Sequence, residues 1–123
     1  MDYTPEIIEG RKIGNLYNQL EKVICAANWY RDLELKMTDW GDGSVLYPIN
    51  INSGSVFCGH RHNHCLYSMC AITGLKQHEA GFEIQGFLTN HNRFVDRKEG
   101  ARLHLLNGGK LHYGNILYSE DIY

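Results

Sequence analysis

The chain has 123 residues, 43% of them hydrophobic and 21% charged, and 12 Lys and Arg against 14 Asp and Glu give a net charge of −2. That length and composition fit one globular domain spanning 1–123, with no basic excess for a nucleic-acid polymer and no polybasic run for a membrane surface. No run of about 18 apolar residues is present to span a bilayer. The acidic start Met1-Asp2-Tyr3-Thr4-Pro5-Glu6 is unlike a secretory leader, so Cys25, Cys58, Cys65 and Cys70 are expected as reduced thiols inside a cell.

The first expected element is a helix over residues 4–28. Thr4 suits its cap, Pro5 its first position and Glu6 its positive end. Ile13, Leu16, Tyr17, Leu20, Val23, Ile24 and Ala27 recur at the i, i+3, i+4, i+7 spacing of one face. Gly10 and Gly14 weaken the early turns and move the start toward Arg11. Such a stripe packs on its own core, or completes that core by oligomerising.

Alternation at Leu33, Leu35 and Met37 predicts a short strand within 29–37, and residues 38–44 read as a turn. A second strand is expected over 45–51, pushed to an edge by Pro48. Asn52-Ser53-Gly54 is another turn, and 55–58 a short strand. Residues 61–73 look helical, stopped by Gly74. Residues 82–88 form a strand interrupted at Gly86. Asp96 with Glu99 three residues on is a capping-box spacing; it opens a helix over 97–106 that Asn107-Gly108-Gly109 closes. The tail, 111–123, is expected as a short strand or extended segment docked on the body. The sum is an α+β fold: a small antiparallel sheet packed with a long N-terminal helix and two shorter helices.

Cys58-Gly59-His60-Arg61-His62-Asn63-His64-Cys65 invites a metal reading. A structural zinc site draws one ligand pair from a tight knuckle and another from a distant element, and the second pair is missing. No metal is therefore expected. The competing reading is a strand-to-helix turn that offers backbone amides and the planar fork of Arg61 to an anion, with His60 and His62 adding donors or stacking. The bland reading makes Cys65 and Cys70 core residues and leaves the histidines on the surface.

The stretch from Gln85 to Tyr123 places a cation, an amide and an aromatic ring within a few residues at Asn92-Arg93-Phe94. Such a set suits gripping a phosphorylated, ring-bearing small molecule. The plainer alternative is a hairpin turn with a buried Phe, and an Arg97 that pairs only with Glu99, Glu120 or Asp121. No phosphate-binding Gly-rich loop and no dinucleotide fingerprint is present. Cysteine chemistry and a His60- or His62-based phosphodiesterase remain open on composition, without a motif behind either.

The Cys-Gly-His-Arg-His turn at 58–62, Gly86-Phe87-Leu88-Thr89, the run from Asn92 to Glu99 and Leu117-Tyr118-Ser119-Glu120-Asp121 together resemble a group of small phage and prophage proteins. Within that group they look most like the Thoeris anti-defence sponges of the first described type, over residues 55–123. The resemblance implies a protein without enzymatic activity or cofactor. It would sequester cyclic ADP-ribose isomers (gcADPR) made by bacterial TIR-domain enzymes, in the cytoplasm of the host cell. Relatives also take up cyclic oligonucleotides and assemble as dimers or hexamers. Carried onto this chain, the expected ligand contacts are Arg61, His62, Phe82, Asn92, Arg93, Phe94 and Arg97. Arg61 or Arg93 would hold phosphate, Phe82 or Phe94 would stack a ring, and Asn92 would bond ribose or base.

Overall fold

A computed structural model describes residues 20–35 and 48–123. Its central strand is β1, Val23–Tyr30, which hydrogen-bonds along both edges. This overturns part of the expected helix over 4–28, whose last residues lie in the strand; residues 4–19 fall outside the described ones. The reason is an ambiguity of period. Val23-Ile24-Cys25-Ala26-Ala27 satisfies helical spacing, but a short continuous apolar run fits a largely buried strand equally well and periodicity alone does not separate the two. Trp29 and Tyr30 then favour the strand.

The remaining elements are β2 (Ser55–Gly59), α1 (His62–Thr73), β3 (Glu83–Thr89), β4 (Phe94–Asp96) and α2 (Arg97–Leu106). All strand pairs are antiparallel, in the order β2-β1-β3-β4. Asn28 lies opposite Phe57 on one side and Gln85 on the other, while Phe87 lies between Ala26 and Val95. Strand alternation therefore puts Phe57, Ala26, Asn28, Tyr30, Glu83, Gln85, Phe87 and Val95 on one face. Both helices cover that face. From α1, Cys65 and Met69 pack on Ala26, Tyr30 and Phe57; from α2, Ala101 and Leu103 pack on Phe87 and Val95, with Leu117 joining them.

The helix ends fall where their caps place them. Gly74 takes φ 77° after α1, and the Asp96 carboxylate accepts from the Glu99 amide at 2.8 Å before α2. The strand expected over 45–51 is not formed at 48–51, and 45–47 lie outside the described residues. Pro48 instead accepts from the Ile51 amide in a turn. Asn50 uses its side chain as a false strand partner, accepting from Phe94 N at 2.9 Å and donating to Phe94 O at 2.7 Å. The strand expected within 29–37 is also absent from its described part: Trp29 and Tyr30 end β1, and residues 31–35 form a turn and coil. The turn expected at 38–44 falls outside the described residues. The tail docks through buried Leu117 and a short 3-10 turn, Ser119–Asp121, rather than as a strand.

Candidate functional site

The middle of the helix-covered face is polar where a core would be apolar. Asn28 and Tyr30 are both 0% exposed, and a buried polar group costs stability unless it is hydrogen-bonded. The Tyr30 hydroxyl donates to Glu83 Oε1 and accepts from Asn28 Nδ2, each at 3.1 Å. Asn28 Nδ2 also donates to the His62 carbonyl at 3.3 Å. Gln77 and Gln85 add amide donors to the Glu83 carboxylate at 3.1 and 2.9 Å. Burial raises the Tyr30 hydroxyl well above its ordinary range, so it stays a neutral donor. Asn28 Oδ1 is buried without a partner among the described residues.

Over this floor the starts of the two helices converge. His62 Nε2 lies 2.7 Å from the Gly86 carbonyl, which can only accept, so the ring proton sits on Nε2. Nδ1 is left as an acceptor, 3.4 Å from Arg97 Nη2. The ring stands edge-on to Phe87 at 5.1 Å. Burial first, and the charge of Arg97 with it, holds His62 below its ordinary value and hence neutral.

Arg97 donates to the Leu117 carbonyl and to Gln85 Oε1, both at 2.8 Å. Its guanidinium faces the Tyr118 ring at 4.9 Å and the Phe87 ring at 5.9 Å. Among the ion pairs of the described residues, none involves Arg97. Its neutral acceptors satisfy hydrogen bonds without cancelling charge, and burial lowers its pKa accordingly. Arg61, the residue before α1, donates to the main-chain oxygen of Tyr123 at 2.9 Å, while its Nη1 is buried with no acceptor among the described residues. The Tyr123 ring stacks on His60 at 4.4 Å and 14°.

Of the seven residues expected to bind ligand, the structure brings His62 to Arg97 where the two helices start, with Arg61 next to His62 in the chain; this junction is the candidate cleft. The others lie elsewhere. Arg93 sits on the β3–β4 hairpin, paired with Glu21 at 2.8 Å and Glu99 at 3.1 Å. Asn92 holds the hairpin turn at φ 57°. Phe94 is 7% exposed and packs on the opposite face, edge-to-face with Trp29 at 5.8 Å. Phe82, just before β3, lies under Arg31 at 4.5 Å. Sequence reasoning missed Asn28, Tyr30, Glu83, Gln85 and Tyr118. A polar residue inside the apolar run of β1 was the one signal for Asn28. Open depressions of about 170 Å³ (Glu34, Ile51, Asn52, Ser53, Gly54) and about 440 Å³ (Asp96, Lys98, Glu99, Arg102) are lined by none of these residues.

Among the described residues no group of three or more His, Cys, Asp or Glu is gathered as a metal site, and no helix is long and apolar enough to cross a membrane. Cys65 is buried, which pushes its thiol up to about 12. The family model described as phage T4 y16D protein matches residues 22–123. The chain belongs to the phage T4 y16D protein family. The y16D match covers every strand and helix named above and takes in the whole cleft. No curated protein and no solved structure matches the chain.

Proposed function

We propose that this y16D-family protein is an anti-defence sponge that binds a cyclic ADP-ribose-type signal and holds it intact. The observation that carries the reading is Arg97: a half-buried guanidinium flanked by aromatic rings and without a carboxylate partner among the described residues. Such a group is suited to a phosphate, and Tyr118 with the His60–Tyr123 stack offers faces to a base or ribose. Arg61, with one buried nitrogen lacking an acceptor among the described residues, is a second phosphate donor. A nanomolar site requires about −12 kcal/mol, a value that two charge-assisted grips and stacked rings in a recessed site can approach.

Storage rather than cleavage is favoured by the histidine. A general base needs a free lone pair, and at His62, one of the two histidines open to that role, Nε2 is held by the Gly86 carbonyl and Nδ1 lies 3.4 Å from Arg97 Nη2. Cys65 is a poor nucleophile while its thiol stays protonated. In this reading the protein assembles as a dimer or hexamer, which sedimentation velocity would reveal as a species larger than the 14.1 kDa chain.

The test is to incubate the protein with cyclic ADP-ribose isomers, denature it by heat and chromatograph the supernatant. Intact ligand is expected, with binding weakened at least about tenfold in Arg97→Ala, the loss of one charge-assisted contact. Cleaved product would make the protein a hydrolase instead. Failure of every isomer to bind would remove the sponge reading.

A further inference from the structure

Resting on that reading of the cleft, we infer that Gln85 is a spacer that keeps the Glu83 carboxylate from neutralising Arg97, so the guanidinium stays open to an anion. Glu83 lies on the helix-covered face of the sheet, Arg97 opens the helix packed on that face, and the two reach the same side chain from its two ends. Arg97 Nη2 donates to Gln85 Oε1 at 2.8 Å, and Gln85 Nε2 donates to Glu83 Oε2 at 2.9 Å. A carboxamide is a neutral side chain able to accept from a cation and donate to a carboxylate at once, from two different atoms.

The rest of each charge is absorbed in the same way. Glu83 takes hydrogens from Tyr30 and Gln77, and Arg97 gives hydrogens to Leu117 O and approaches His62 Nδ1. Every named partner is uncharged. Both groups are satisfied in hydrogen bonds while their opposite charges remain separated. Glu120 acts on Arg97 through space but is in no ion pair with it among the described residues, and a half-buried charge without a contacting counter-charge keeps much of its attraction for a mobile ion. Gln85 is itself exposed, so changing it should not disturb the core.

The decisive variant is Gln85→Glu, nearly the same shape, which sets a carboxylate where the amide oxygen meets Arg97. With inorganic pyrophosphate as probe in calorimetry, its affinity is expected to fall at least tenfold; because the new carboxylate also faces Glu83, the thermal midpoint is read in the charge-balanced swap of Glu83 and Gln85, where it is expected to hold or rise. A merely structural lesion would lower both. The swap Glu83→Gln with Gln85→Glu holds net charge constant and is expected to lose the same tenfold. The neutral Gln85→Met variant is expected to stay within threefold of the unchanged protein. Binding within threefold in either the single Gln85→Glu variant or the swap, or a tenfold loss in Gln85→Met, overturns the spacer. Arg97→Ala separates the two readings. If it loses pyrophosphate while Gln85→Glu does not, the spacer alone falls. If it binds as before, or if the unchanged protein binds no pyrophosphate, the cleft reading falls and the spacer with it.

Discussion

Arg93 and Arg97 are one helical turn apart in sequence and do opposite work. Arg93 is a structural cation. It joins Glu21 at 2.8 Å to Glu99 at 3.1 Å, and Arg102 closes on the same Glu99 at 2.7 Å. Arg102 first, and Arg93 with it, holds the Glu99 carboxyl down to about 2, and Arg93 also lowers Glu21. A carboxylate whose pKa is depressed on folding stabilises the fold fully above its ordinary value of 4.5. That contribution disappears as pH falls toward about 2. Arg93→Ala is therefore expected to cost about 1 kcal/mol at neutral pH. It should also flatten the loss of stability between pH 4.5 and 2 measured by denaturant titration. An acid limb as steep as that of the unchanged protein would contradict this role. Arg97, lacking such partners, is expected to matter little for acid stability and much for anion binding.

The hairpin joining β3 to β4 depends on one glycine. A Cβ on Gly86 would run into the Val95 carbonyl and come within 2.7 Å of Phe94 Cζ, whose ring meets Trp29 edge-to-face on the same face of the sheet. Gly86→Ala is expected to destabilise the protein by about 1–3 kcal/mol, the cost of overpacking. A urea midpoint unchanged from that of the parent would show that the ring moves aside freely. Gly86 was legible in sequence as an interruption of a strand, though not the ring that needs it. The same division runs through the other elements. α1, α2, β2 and β3 could be read to within a residue or so because their boundaries are written locally, in Gly74, in Asp96 with Glu99, and in the turn residues flanking the strands. β1 could not, since its partners lie at 55–59 and 83–89 and only their ladders decide between helix and strand. The cleft divides likewise. Arg61, His62 and Arg97 flank helix starts and were visible as such. Asn28, Glu83 and Gln85 acquire meaning only through cross-strand register, which no local pattern encodes.

Both helices lie on one side of the sheet, and the strand at its middle is the earliest described element in the chain. Closing the fold therefore requires pairing β1 with β3 across the whole of β2 and α1. Long-range closure of this kind is slow, because chain entropy is lost before the contacts repay it. Phe87→Leu, which weakens the seam where β3 meets both Ala26 and α2, should act mainly by slowing refolding in stopped-flow experiments. An effect confined to the unfolding limb would place that pairing after the barrier. The order of the strands also bears on how the protein is made. On the ribosome β1 emerges first, and β2 and α1 can settle on one edge, but the other edge keeps its amides and carbonyls open until residues 83–89 are synthesised. A nascent chain in that interval presents an apolar strand with one bare side, and this is when chaperone capture or mispairing with a second unfinished copy would compete with folding.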